Sequence, residues 1–230
     1  MTPVPPPKVH PYDQWAPDAR ALDLVGDKWT LLIVRDLIPG PRRFVELQRV
    51  LPGISTEQLR SRLNRMVADG LLTRQRYREV PPRVDYELTE RARDLEAVVA
   101  SLARWGYRWT WGAPRDGEEI DIGAILRLAP GLLSDEGSLR GTVECLVTER
   151  SKGAPERTYT FTGTGGDVSL REEADADADA RVTGTESAWI AALGPERSRA
   201  GLAITGDAQQ VGAVLDVLAE ASASAISAAA

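Results

Sequence analysis

The chain has 230 residues, enough for two small domains, and its 43% hydrophobic and 27% charged residues are the balance of a globular protein. A single cysteine, Cys145, excludes an intrachain disulfide and a cysteine-based zinc cluster, and a single histidine, His10, leaves no material for a histidine triad or metal cluster. No run of about 18 apolar residues exists, and the proline-rich start MTPVPPPKVHPYDQW lacks the apolar region of a signal peptide. These features lead us to expect a cytoplasmic protein with no membrane partner and no cofactor.

The net charge of -6 conceals an asymmetry. Residues 1–112 carry 18 Lys+Arg against 14 Asp+Glu, whereas residues 113–230 carry 10 against 20. The stretch 42–83 holds 10 Arg, no Lys and 4 acids. Such an imbalance marks two domains with different partners.

In chain order, residues 1–11 read as a flexible arm. A helix follows Pro17, with Ala19, Leu22 and Val25 on one face, and ends at Gly26. A second helix runs from Asp27 to Leu37 with Trp29, Leu32, Ile33 and Leu37 at helical spacing. Pro39-Gly40-Pro41 stops it. A third covers 43–51, with Phe44, Leu47 and Leu51 inward, and Pro52-Gly53 breaks it. The fourth, 55–69, opens with Ser55 and has Gln58 three residues on, the signature of a capping box. Leu59, Leu63, Met66 and Val67 form its apolar stripe. Two short strands follow, 71–78 and 83–88, joined by a turn containing Pro81-Pro82. Thr89 caps a long helix to Trp111, whose inward stripe is expected at Leu95, Val98, Val99, Leu102 and Trp105.

Three short helices, a capped helix and a basic two-stranded wing are the order of a winged helix-turn-helix. In that motif the second helix enters the major groove. The polar side of helix 55–69 carries Glu57, Gln58, Ser61, Arg62, Asn64 and Arg65. Arginine suits guanine, and glutamine or asparagine suits adenine. Ser55 and Thr56, at the helix start, suit a phosphate. Seven arginines crowd 60–83, and only Glu57 just before them and Asp69 and Glu79 among them are available to neutralise them. Uncompensated basic residues on a helix and hairpin make a phosphate-reading surface. The candidate DNA contacts are therefore Arg43, Ser55, Thr56, Gln58, Ser61, Arg62, Arg65, Arg76, Arg78 and Arg83. Two or three of the seven arginines over 60–83 are expected to pair with Asp85 or Glu87 instead.

These residues carry a family likeness. Ala21-Leu22-Asp23-Leu24-Val25-Gly26-Asp27-Lys28-Trp29-Thr30-Leu31-Leu32-Ile33, Arg43-Phe44-Val45-Glu46-Leu47, Pro52-Gly53-Ile54-Ser55, Leu59-Arg60-Ser61-Arg62-Leu63, Asp69-Gly70-Leu71 and Pro81-Pro82-Arg83-Val84-Asp85-Tyr86-Glu87-Leu88-Thr89 resemble the HxlR family of MarR-like bacterial regulators, over about 12–106. The resemblance implies a homodimer on a pseudo-palindromic operator, acting as a repressor or an activator. It places the dimer contact on the helix after Thr89 and on the N-terminal helix. Many members carry a cysteine before the first helix. Here Trp15-Ala16-Pro17 stands in that place, so thiol sensing at that point is not available.

The acidic half reads as helix 120–133, strands 140–149, 157–162, 167–171 and 180–184, helix 185–193, a strand near 201–205 and helix 207–222. Arg157-Thr158-Tyr159-Thr160-Phe161, Gly165-Gly166-Asp167-Val168, Ala178-Asp179-Ala180-Arg181-Val182-Thr183-Gly184 and Leu202-Ala203-Ile204-Thr205-Gly206-Asp207 resemble a sterol-carrier-protein-like domain. That implies an α+β layer around an apolar pocket. A small apolar effector is the expected ligand, with Tyr159, Phe161 and Trp189 as candidate lining residues; the competing reading makes all three plain core aromatics. The acidic run 172–179 lacks the ligand order and glycine turn of a calcium loop and reads as a solvated loop. Cys145, in phase with Val143 and Val147, reads as a buried small hydrophobe.

The expected fold class is α+β: a reader and dimerisation domain over 12–112, a linker over 113–119, an effector or interface domain over 120–223 and a frayed tail over 224–230. The function expected is regulation of transcription through double-stranded DNA. An enzyme is disfavoured, since no nucleophile motif, phosphate loop or metal cluster is present. The alternative is a small-molecule or lipid carrier with a vestigial helix-turn-helix.

Overall fold

A computed structural model describes residues 11–78, 83–133, 139–151 and 154–223. The arm before residue 11, the turn at 79–82 and the tail 224–230 lie outside the described residues. The chain divides into two compact units, one ending at Glu96 and one beginning at Ala97.

The first unit follows its sequence signals closely. Helix α1 (Pro17–Val25) starts with proline, whose missing N–H costs nothing there, and closes as Gly26 N–H donates to the Leu22 carbonyl. Leu22 is exposed rather than inward with Ala19 and Val25. Helix α2 (Thr30–Leu37) starts three residues later than Asp27. The Asp27 carboxylate is the reason: it accepts the N–H groups of Trp29 at 2.8 Å and Thr30 at 3.2 Å, as a cap does. A two-residue strand, β1 (Arg42–Arg43), precedes α3 (Phe44–Val50) and α4 (Thr56–Ala68). Strand β2 (Leu72–Tyr77) pairs antiparallel with β3 (Arg83–Leu88), and β1 joins the other side of β3. Ile33, Leu37, Leu47, Leu59 and Leu63 are wholly buried between the helices and the sheet. The result is a winged helix, with a third short strand that sequence periodicity is too brief to reveal.

The helix expected from Thr89 to Trp111 divides at Asp94 into α5 (Glu90–Arg93), capped by the Thr89 hydroxyl, and α6 (Leu95–Trp109). The expected inward stripe of α6 is also corrected. Val99, Ala100 and Tyr107 are buried, whereas Val98, Leu102 and Trp105 are exposed. The buried face joins the core of the second unit through Ala100 and Tyr107, with Ala103 packed against it.

In the second unit, helix 120–133 is broken into α7 (Ile122–Leu126) and α8 (Ala129–Leu133). Pro130 accounts for this, since its ring cannot be accommodated inside a helix but fits the first turn of a new one. Five strands follow: β4 (Arg140–Thr148), β5 (Arg157–Thr164), β6 (Val168–Arg171), β7 (Ala180–Thr185) and β8 (Ala203–Gly206), in the order β6-β5-β4-β7-β8. β4 and β7 run parallel and the other pairs antiparallel. Helix α9 (Glu186–Leu193) lies between β7 and β8 in sequence, and α10 (Ala208–Ala223) ends the unit. One face of the sheet carries Val143, Cys145, Val147, Tyr159, Phe161 and Val182. These share one core with Leu126, Leu132, Trp189, Val214 and Leu218 of the helices.

Candidate nucleic-acid interface

Helix α4 is fixed at its start by a reciprocal cap. The Ser55 hydroxyl accepts the Gln58 N–H at 3.2 Å, and Gln58 Oε1 accepts the Ser55 N–H at 3.0 Å. The Thr56 hydroxyl accepts from Gln48 Nε2 at 2.8 Å, joining α3 to α4. Three of the expected contact residues thus already hold the helix in place. Ser61 is exposed on the side away from buried Leu59, Leu63 and Met66.

The arginines of α4 each have an acidic partner. Arg60 meets Glu57 at 3.0 Å in solvent, Arg65 meets Asp69 at 2.5 Å, and Arg62 Nη1 lies 3.1 Å from Asp27 Oδ2. Arg62 and Arg65 are half-buried in these pairs. They brace the helix at least as much as they present charge.

The wing is different. On β2, Thr73, Arg74, Gln75, Arg76 and Tyr77 are all exposed, as is Arg78 just beyond. Arg74, Arg76 and Arg78 alternate along the strand and so share one face. None of them forms an ion pair among the described residues. Arg83 faces Tyr77 across the ladder, with its guanidinium 5.3 Å from the ring centre, and its Nη2 lies 2.6 Å from Asp85. Arg43 reaches the same carboxylate at 4.0 Å. Asp85 is buried and so holds both guanidiniums at the base of the wing; of the seven arginines over 60–83, Arg83 alone meets Asp85 or Glu87 among the described residues, fewer than the two or three expected. Neighbouring Arg42 is buried and donates to the Asp36 carbonyl, so of this adjacent pair Arg43 is the one at the surface. The sequence reading named Arg76 and Arg78 but passed over Arg74 as a contact; its signal was the period of two shared with them.

The arrangement joins a capped helix with hydroxyl and amide side chains to a strand of unpaired guanidiniums. Guanidinium groups bind phosphate through paired N–H donors, so this surface can hold a polyanion.

In the second unit Tyr159, Phe161 and Trp189 are buried in the core. Trp189 Nε1 donates to the Leu146 carbonyl at 3.0 Å. Cys145 is fully buried, and burial, with Glu144 beside it, pushes its thiol far above the ordinary range. The acidic run is tied down rather than free. Glu172 bonds Arg127, the Asp175 N–H donates to Glu144, and Asp179 accepts the Thr142 N–H. Among the described residues no acidic, histidine or cysteine group forms a metal cage, and no helix is long and apolar enough to cross a membrane. On α6, Val98, Leu102, Trp105 and Trp109 recur at helical spacing and are 46%, 53%, 58% and 58% exposed.

A family model of HxlR-like helix-turn-helix proteins matches residues 24–113. The uncharacterised HTH-type transcriptional regulator YybR of Bacillus subtilis is 37% identical over 98 residues, spanning 43% of this chain and 78% of its own length. YtcD of the same organism is 40% identical over 85 residues, 37% of this chain and 68% of its own. Rv3095 of Mycobacterium tuberculosis is 49% identical over 87 residues, 38% of this chain and 54% of its own. Among solved structures, the redox regulator HypR in its oxidised form is 37% identical, with 44% of this chain and 99% of that chain covered at a TM-score of 0.39. All three of these sequence relatives are described as HTH-type transcriptional regulators. With a winged helix in place and more than two thirds of YybR matched, the chain belongs to the HxlR-like helix-turn-helix family of transcriptional regulators.

Proposed function

We propose that this regulator binds a pseudo-palindromic operator as a homodimer, with α4 in the major groove and the wing on the phosphate backbone. The observation that carries the reading is the row Arg74, Arg76 and Arg78, exposed and without ion-pair partners among the described residues. Around it we place Arg43, Ser55, Thr56, Gln58, Ser61, Arg62, Arg65 and Arg83 as supporting contacts, with Ser61 nearest base edges. The exposed stripe Val98, Leu102, Trp105 and Trp109 of α6 supports dimerisation, since apolar patches of this kind mark protein interfaces. Leu22 of α1 is a second candidate contact.

The reader domain in this scheme covers 12–112 and the second domain 120–223, with 113–119 between them. The second domain is read as sterol-carrier-like and as the seat of a small apolar effector near Tyr159, Phe161 and Trp189. An effector changes DNA affinity only if it binds the DNA-competent and incompetent states differently. The test is fluorescence anisotropy with a labelled duplex from the region upstream of the protein's own gene, against scrambled competitor. Selective binding that obeys dimer stoichiometry supports the reading. Equal, weak binding to both duplexes contradicts it.

A further inference from the structure

Helix α4 has more polar side chains than its fold leaves free. Ser55 and Gln58 are tied to each other in the reciprocal cap, and the Thr56 hydroxyl accepts from Gln48 of α3. Arg62 and Arg65 are half-buried, Arg62 against Asp27 and Arg65 against Asp69. In the first two turns this leaves Glu57, Arg60 and Ser61. All three are exposed, and among the described residues none bonds to another element.

Their placement on the helix is uneven. At about 100° per residue, Glu57 and Ser61 point most directly away from the buried stripe of Leu59, Leu63 and Met66. Arg60 starts on the flank of that outward face. Its Nη1 lies 3.0 Å from Glu57 Oε2, with the Arg60 side chain 59% and the Glu57 side chain 80% exposed. The ion pair therefore carries the guanidinium towards the middle of the face. A pair so exposed adds little to stability, and the helix start beside it is already capped by Ser55 and Gln58. Phosphate repels the Glu57 carboxylate, so next to DNA it is favoured only where a hydrogen-bond donor meets it.

We propose that Glu57 and Arg60 are the specificity-determining pair of α4: Arg60 donates to O6 and N7 of a guanine, and Glu57 accepts from the N4 amino group of a neighbouring cytosine. The inference rests on the reading of α4 as the helix in the major groove, and it adds the bases that the helix selects. An ionised carboxylate is an acceptor only. Guanine and thymine show it acceptors in the major groove, and adenine sets an N7 acceptor beside its donor. Cytosine shows a donor alone, so Glu57 favours one base and opposes the others. Three residues advance α4 by about 4.5 Å, close to the step of about 3.4 Å between base pairs, which fits one side chain to each of two neighbouring pairs.

The test is selection of duplexes from a randomised library by the full chain, followed by competition between the enriched duplex and its single-base variants. Wild type is expected to enrich half-sites with a guanine and a cytosine at neighbouring positions, each preferred by roughly 5- to 150-fold over a wrong base. Glu57→Ala loses the preference at the cytosine position alone. Arg60→Ala loses it at the guanine position alone, and Arg60→Lys retains part of it. Half-sites without that guanine and cytosine, or a motif unchanged in either alanine variant, overturn the pair and leave the major-groove reading standing. An Arg60→Ala variant that keeps the motif but flattens the slope of log affinity against log salt by about 0.9 per lost contact makes Arg60 a phosphate contact and also overturns the pair. Failure of wild type to enrich any motif overturns the major-groove reading, and the pair with it.

Discussion

Arg62 of α4 lies 3.1 Å from the same Asp27 carboxylate that caps α2. One acidic group thus starts one helix and holds the next in place, across 35 positions of sequence. The two partners should separate on mutation. Arg62→Ala removes a partly exposed pair and should cost no more than about 1 kcal/mol. Asp27→Ala also removes the cap and should cost about 1–2 kcal/mol. Urea unfolding of the two variants measures the difference. Since Asp27 offsets the charge of Arg62, Arg62→Ala should also weaken DNA binding less than loss of a wing arginine.

Asp85 is the acidic centre of the wing base, 2.6 Å from Arg83 and 4.0 Å from Arg43. Asp85→Ala leaves both guanidiniums without that partner. We expect a loss of about 1–3 kcal/mol in unfolding free energy, together with weaker operator selectivity as the base of the wing loosens. Unfolding curves and competition with scrambled DNA report the two effects independently.

Gly123 has no room for a side chain. Gly123→Ala would drive a methyl group onto the Tyr159 hydroxyl, with an expected loss of about 1–3 kcal/mol. Tyr159→Phe removes the nearest atom, so the double variant should recover part of that loss. A double-mutant cycle in urea measures the coupling; strict additivity would contradict the contact.

Asp121 makes acid stability depend on Arg127. Burial pushes its carboxyl up, but Arg127, 3.1 Å away, then Arg157 and Arg150, outweigh it and hold the folded pKa below the ordinary value of 3.8. The ionised group therefore stabilises the fold above that value, and the contribution disappears as pH falls through the lower folded pKa. Asp121→Asn keeps an amide oxygen to cap α7 but removes the charge. It should melt below wild type at neutral pH and show a shallower loss of stability on the acid side of about pH 4. Identical acid limbs would contradict the pairing.

Local signals in the sequence carried most of the fold. The Ser55–Gln58 cap, the stripe of Leu59, Leu63 and Met66, and the alternation of Val143, Cys145 and Val147 each appear as read. What stayed hidden depends on partners distant in sequence. The face that α6 buries was misassigned because Val98, Leu102 and Trp105 are more apolar than Ala100 and Ala103, yet the small residues are the ones that fit against the second core. The break before α8 was legible in Pro130 and was missed. The α4 arginines look like free DNA contacts in sequence, and only the fold reveals that Asp27 and Asp69 hold two of them.

The central claim is that the wing arginines grip phosphate. Its most direct test is the slope of log affinity against log salt, for wild type and for the Arg74→Gln/Arg76→Gln/Arg78→Gln variant, on one operator duplex. Each lost phosphate contact should flatten the slope by about 0.9, so a dimer losing six should flatten by roughly five. Tm should remain at the wild-type value, because these side chains form no ion pair among the described residues. An unchanged slope with intact folding would show that the wing does not touch DNA, and would contradict the account.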